Sequence, residues 1–190
     1  MNKWLFPKCV VILISGKAGV GKGLFAEILE NLLDEDLIFF QRTSFAKLLK
    51  ECAFKFFNWD GTKDSSGRAL LQNLGNIGRI YNQNIWIEKM IDDIVDICGG
   101  IFPNVIIVDD WRFQNEANFF LTKPEYFDVK RIRINAPSRE ALKDTAYYDD
   151  ISETALDNYS EFDLIVDNEN LTINELEIMV RFFYKDLIGE

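Results

Sequence analysis

The stretch Gly16-Lys17-Ala18-Gly19-Val20-Gly21-Lys22-Gly23 holds the residues best suited to chemistry in this chain of 190 residues. It follows the apolar run Val10-Val11-Ile12-Leu13-Ile14 and precedes the helix-like run Leu24-Phe25-Ala26-Glu27-Ile28-Leu29. Strand, glycine-rich turn and helix start are the setting in which G-x-x-x-x-G-K-[ST] cradles phosphates. Glycines let successive backbone N–H groups turn inward on an anion. The helix start adds partial positive charge, and Lys22 reaches the outer phosphates of a triphosphate such as ATP. Gly16 through Leu24, with Lys17, Ala18, Gly19, Val20, Gly21, Lys22 and Gly23 between, are therefore the expected phosphate contacts. The pattern fails at one place: Gly23 stands where a Ser or Thr would bind Mg²⁺.

The chain has no histidine. Ser-His and Cys-His triads and His-ligated metals are excluded, so chemistry rests on Lys, Arg, Asp, Glu, backbone amides and a metal held by oxygen. Asp109-Asp110 ends the apolar run Asn104-Val105-Ile106-Ile107-Val108. Carboxylates at such a strand end can hold Mg²⁺, directly or through water, or can simply be solvated. Arg112 lies two residues beyond and has two readings, a fork onto a phosphate or an ion pair with Asp110 or Glu116.

Residues 67–86 present a second group. Arg68, Gln72, Gly75 and Arg79 are spaced by 4, 3 and 4 and share one helix face, offering two cations, an amide and room for a ligand. Leu70, Leu71, Leu74, Ile77 and Ile80 read as the buried stripe of the same helix.

The elements that must position these residues alternate. Strand-like runs fall near 8–14, 37–41, 104–109, 128–134 and 162–166, and helical runs near 22–33, 44–57, 67–81, 84–97, 113–121 and 172–186. Such alternation predicts an α/β fold with a parallel sheet covered on both faces, whose ligands bind at the carboxyl ends of the strands. Length predicts one domain over 1–190, with a core of 1–43 and 99–190, a helical insertion of about 44–98 and a lid of about 136–151.

Charge bounds the partners. The net charge is −10 and uneven: residues 1–95 hold 12 Lys/Arg and 11 Asp/Glu, whereas residues 96–190 hold 9 and 20. The acidic half reads as a solvated face, and polymeric nucleic acid is disfavoured as a partner. Small anionic nucleotides need only a local cluster of cations. No segment approaches the length of a membrane span. Cys9, Cys52 and Cys98 form no C-x-x-C pair, which suits a reducing cytoplasm, the host's if the protein is viral. Monomer and homodimer both remain open.

Four pieces of the chain resemble the bacteriophage deoxynucleoside monophosphate kinases. They are Ile14-Ser15-Gly16-Lys17 through Lys22, then Ser44-Phe45-Ala46 with Leu49-Lys50-Glu51. The run from Arg68 through Leu71, Gln72, Gly75 and Arg79 to Trp86 follows, and then Asp110-Trp111-Arg112-Phe113-Gln114-Asn115-Glu116. Ser152-Glu153 with Leu156, and Phe162-Asp163-Leu164-Ile165-Val166-Asp167-Asn168, fit the same family. The resemblance implies a P-loop kinase fold with a five-stranded parallel core. It also implies transfer of the γ-phosphate of ATP, with Mg²⁺, to a deoxynucleoside 5′-monophosphate. On that basis Lys22, Asp110, Arg112 and Arg139 are catalytic, and Lys50, Arg68, Gln72, Gly75, Arg79, Trp86, Asp110, Arg112 and Glu153 contact the acceptor. Asp109 and Asp110 serve Mg²⁺, and Arg131 and Arg133 are further candidates near the lid. Gly23 and the arginine-poor lid depart from the family's pattern.

Two rivals share the loop. A P-loop kinase of another phosphorylated metabolite, of the phosphomevalonate or dephospho-coenzyme A type, needs the same cradle and arginines. Lys17 also gives the loop a likeness to dimerising partition and transport ATPases with a variant Walker A loop, in which the first lysine reaches the partner's nucleotide. A nucleotide-binding relic that lost turnover through Gly23 is the non-enzymatic option.

Overall fold

The computed structural model describes residues 8–143, 145 and 147–189, so Asp144 and Ala146 of the expected lid lie outside the described residues. The chain divides into two compact units, Met1–Arg42 with Pro103–Glu190, and Thr43–Phe102. In order the elements are β1 (Cys9–Ser15), α1 (Lys22–Glu35), β2 (Phe40–Thr43), α2 (Lys47–Phe57), α3 (Ser65–Tyr81) and α4 (Ile85–Ile97). They continue as β3 (Val105–Val108), α5 (Gln114–Leu121), β4 (Phe127–Asn135), a 3-10 turn (Pro137–Arg139), α6 (Ile151–Thr154), β5 (Leu164–Asp167) and α7 (Ile173–Ile188).

The five strands form one parallel sheet in the order β2-β3-β1-β4-β5. Val10 of β1 lies beside Val105 of β3, Ile14 of β1 beside Ile132 of β4, and Ile132 in turn beside Leu164 of β5. A central parallel strand is covered on both faces, which is why Val10 through Ile14 form an unbroken apolar run and all are buried. On one face Val10, Ile12 and Ile14 join Phe25, Leu29 and Leu33 of α1 and Leu176, Val180 and Tyr184 of α7 in a single core. The alternate residues Val11 and Leu13 point to the other face, where Phe120 of α5 packs edge-on against Phe127 of β4, ring centroids 5.1 Å apart. Strand order reverses around β1, so the carboxyl ends of β1, β3 and β4 meet at the switch point where open α/β sheets bind ligands. The topology and the glycine loop after β1 make this an α/β P-loop fold.

Several boundaries differ from the sequence expectation: α2 opens at Lys47 and β5 at Leu164, and β2 is shifted to Phe40–Thr43. Residues 36–38 end α1 instead of opening β2, because the N–H groups of Asp36, Leu37 and Ile38 bond back to Leu32, Asp34 and Leu33, and Leu37 adopts φ 54°. The 3-10 turn and α6 span 3 and 4 residues, too few to leave a periodic trace. At the far end α7 opens on a reciprocal cap: Thr172 N–H donates to Glu175 at 2.8 Å and the Glu175 N–H to the Thr172 hydroxyl at 3.3 Å.

The second unit is helical. Asp64 caps α3 by accepting from the Gly67 N–H at 2.7 Å, and Lys47 of α2 pairs with Asp93 of α4 at 2.7 Å. The expected apolar stripe of α3 is not its buried face. Gly67 and Gly75 are buried, Leu70, Leu71 and Leu74 are half-buried, and Ile77 and Ile80 are 64% and 85% exposed. The small residues let the helix approach its neighbours closely, which turns Ile77 and Ile80 away.

Trp111 shows how the first unit fixes its strand ends. Its ring is fully buried, its indole N–H donates to the Phe113 carbonyl at 2.8 Å, and Tyr159 and Phe162 pack edge-on at 5.3 and 5.6 Å. Trp111→Ala should cost about 3–5 kcal/mol of unfolding free energy in urea titration, since both a large cavity and an unmade carbonyl bond result.

Candidate phosphate-binding site

The loop between β1 and α1 is shaped by glycine where the backbone has no alternative. Gly16 adopts φ 146°, and a Cβ there would lie 2.4 Å from the Ile134 carbonyl oxygen on the neighbouring strand. Gly21, at φ 104°, precedes the first helical residue, and a Cβ on it would meet the Asn168 amide at 2.5 Å. No other residue type fits either place. Asn168 is buried just past β5, and its side-chain amide donates to the Val20 carbonyl at 2.8 Å, tying the loop to the far side of the sheet. The sequence marks Asn168 only by its place after a strand-ending aspartate, and it was not among the expected site residues.

Lys22 lies over the loop, its Nζ donating to the Gly16 and Lys17 carbonyls at 2.7 and 2.8 Å. Burial pushes its pKa down to about 8 and the nearby Arg112 adds to this, against an opposing pull from Glu153, Asp109 and Asp110. A lysine that carries this cost is stabilised once an anion arrives.

Acids from the second half of the chain face the loop's cations. The Glu153 carboxylate, nearly buried, accepts from the Ala18 N–H at 3.3 Å and pairs with the Arg112 guanidinium, which also donates to the Ser152 carbonyl at 3.0 Å. Asp157 takes Lys17 at 2.9 Å and Arg133 at 3.0 Å. The acidic half is thus in part a set of internal counter-ions, contrary to the solvated face expected from composition. Arg112 pairs with Glu153, not with Glu116. The Glu116 carboxylate instead accepts the backbone N–H groups of Arg112 and Phe113 at 2.8 and 3.0 Å, opening α5.

The remaining expected residues fall as follows. Arg139 is exposed at the end of the 3-10 turn, and two residues on, the Ala141 N–H donates to the Ala18 carbonyl at 2.7 Å, bringing the start of the expected lid segment onto the loop. Arg131 is engaged by Asp163 at 2.9 Å, Glu161 at 3.1 Å and the Tyr159 hydroxyl at 2.9 Å, which raises its already high pKa. Lys17 is buried, paired with Asp157, and lies 4.9 Å from the Tyr148 ring, so it does not project as a cross-subunit finger would. Lys50, Arg68, Gln72, Gly75, Arg79 and Trp86 all belong to the helical unit. There the Trp86 indole donates to the Gly75 carbonyl at 3.1 Å, and its ring fills the space over Gly78. The room in α3 thus admits Trp86, with Leu49 and Arg79 close to Gly75.

Asp109 at the end of β3 receives Arg42 Nε and Nη2 at 3.0 and 2.5 Å, and Arg42 Nη1 reaches Glu30 at 2.7 Å. Gly23 offers no side-chain oxygen, and among the described residues no cluster of three His, Cys, Asp or Glu side chains is gathered. The loop amides and Lys22 fit a polyphosphate. No helix among the described residues is long and apolar enough to cross a membrane.

No family model matches the chain, and no curated protein matches it in sequence. Solved structures resemble it in fold at low identity. The APS kinase of Mycobacterium tuberculosis in complex with AMPPNP and APS is 14% identical with a TM-score of 0.46, over 97% of this chain and 99% of that chain. The shikimate kinase of Aquifex aeolicus vf5 is 16% identical with a TM-score of 0.44, over 95% and 99%.

The depressed Lys22 pKa has a measurable consequence. Near pH 8 the ligand-free lysine is partly neutral, and a bound polyphosphate restores its proton. Binding should therefore take up protons near and above pH 8, and affinity should fall as pH rises through that value. Calorimetric titrations with ATP in buffers of different ionisation enthalpy measure this uptake, and Lys22→Met should remove it.

Proposed function

We propose that the protein is a P-loop phosphotransferase that moves the γ-phosphate of ATP to a deoxynucleoside 5′-monophosphate. The observation that carries the donor half is the clamped loop of Gly16 to Gly23, with Lys22 folded over it and Arg112 near enough to depress the Lys22 pKa. The acceptor half rests on the resemblance of the Arg68–Trp86 and Asp110–Glu116 runs to the phage enzymes.

In this reading a phosphate oxygen of the acceptor bonds to the γ-phosphorus while the bond from that phosphorus to the β–γ bridging oxygen breaks. The products are the deoxynucleoside diphosphate and ADP. The acceptor phosphate is already ionised, so no general base is required, consistent with a chain that has no histidine. Catalysis then consists of alignment and charge neutralisation. Loop amides from Ala18 to Leu24 hold the donor phosphates, and Lys22 follows the transferring group. Arg112 exchanges the Glu153 carboxylate for phosphate oxygens, a swap of one anion for another that keeps the guanidinium paired. Arg139 approaches from the lid. Arg68, Gln72 and Arg79, with Lys50, are the acceptor-side groups. Lys17, buried on Asp157, argues against the dimerising ATPase.

ADP release coupled to NADH oxidation, run over the deoxynucleoside monophosphates, tests the proposal. Acceptor-dependent turnover is expected with at least one. Lys22→Ala should lower kcat at least about a hundredfold, and Arg79→Ala should chiefly raise the acceptor KM. ADP release that no monophosphate stimulates would exclude the kinase.

A further inference from the structure

We infer that Arg42 is a built-in contact of the phosphate site, and that Asp109 is its positioning carboxylate and not a metal ligand. The inference rests on the nucleotide reading of the loop and concerns the residue that departs from the pattern. Gly23 is the second residue of α1, and beyond its chain neighbours a Cβ built on it meets, among the described residues, the Arg42 side chain, whose Nη2 lies at 3.6 Å. The guanidinium thus stands beside the position where a loop hydroxyl would otherwise meet a metal.

Its orientation is fixed from two elements. Asp109, just past β3, takes Nε and Nη2 at 3.0 and 2.5 Å, and Glu30 on α1 takes Nη1 at 2.7 Å. Three of the five guanidinium N–H groups are used in this way, and Nη2, the nitrogen nearest Gly23, keeps a second one. A planar fork held by two carboxylates is pre-organised to donate to a phosphate oxygen. With Glu30 and Asp109 together outweighing its charge, Arg42 contributes direction more than net positive potential. Both bonds from Arg42 fall on Oδ2 of Asp109, so a dication there would share the carboxylate with a guanidinium already held against it.

A consequence follows by linkage. A metal that the protein does not itself hold is bound about equally by free and protein-bound nucleotide, and so does not tighten nucleotide binding. It lowers the nucleotide's charge, which an arginine- and lysine-lined site does not favour.

Calorimetric titration of ATP into the whole chain, once with excess Mg²⁺ and once with EDTA, tests the assignment. The native chain should bind ATP at least as tightly in EDTA. Arg42→Ala should weaken binding roughly tenfold in both conditions, and Arg42→Lys should not restore it, because an ammonium cannot bridge both carboxylates with a fixed plane. Asp109→Asn should weaken binding in both conditions alike. A native affinity that rises tenfold or more with Mg²⁺, and loses that rise in Asp109→Asn, would overturn the assignment while leaving the loop intact. No ATP binding in either condition would instead defeat the nucleotide reading, and this assignment with it. Should Arg42→Ala fail to fold in circular dichroism, Arg42→Lys and the comparison of Mg²⁺ with EDTA in the native chain and Asp109→Asn still decide.

Discussion

The Asn168 side chain reaches from the end of β5 to the Val20 carbonyl, while Gly16 presses against the Ile134 carbonyl at the end of β4. These two contacts clamp the loop after β1 between its neighbours, and the rest of the site depends on that clamp. A buried carbonyl such as that of Val20 must find a donor, and a loop whose amides point inward to an anion spends its own donors elsewhere. The Asn168 amide resolves the conflict from outside the loop. Because β1, β4 and β5 lie side by side in parallel register, the three strand ends deliver the loop, its backstop and its tie to one place.

Charge is arranged around that clamp in pairs. Lys17 and Arg133 share Asp157, Arg112 has Glu153, and Arg42 has both Asp109 and Glu30. The Arg42 pairs, partly exposed on both sides, contribute little to stability, on the order of 0–1 kcal/mol each. Their value lies in orientation. The cations are held near the loop without being buried unpaired, which would cost far more. Lys22 differs. It is bonded to carbonyls, its pKa is lowered, and it therefore has the most to gain from an incoming phosphate.

Much of the fold was legible because the parallel sheet writes itself as apolar runs ending in special residues. Val10–Ile14 before Gly16 and Val105–Val108 before Asp109 show both the strand and what it delivers. The site was legible where backbone geometry demands a residue type, as at Gly16 and Gly21. It was not legible where long side chains choose among several partners. Arg112 offered Asp110 or Glu116 by proximity in sequence, yet it pairs with Glu153, 41 positions away. Arg42 carries no such signal, because nothing in a four-residue strand announces that its arginine will reach Asp109. The stripe of α3 misled for a related reason: leucines and isoleucines at helical spacing suggest a buried face, but glycines set how close the helix packs.

A crystal structure of the chain with a non-hydrolysable ATP analogue tests the central claim most directly. The account expects the β- and γ-phosphates within hydrogen-bond distance of the backbone amides between Ala18 and Leu24, with Lys22 Nζ moved from the Gly16 and Lys17 carbonyls onto phosphate oxygen. A loop that stays closed on its own carbonyls, with the analogue bound elsewhere or not at all, would contradict it.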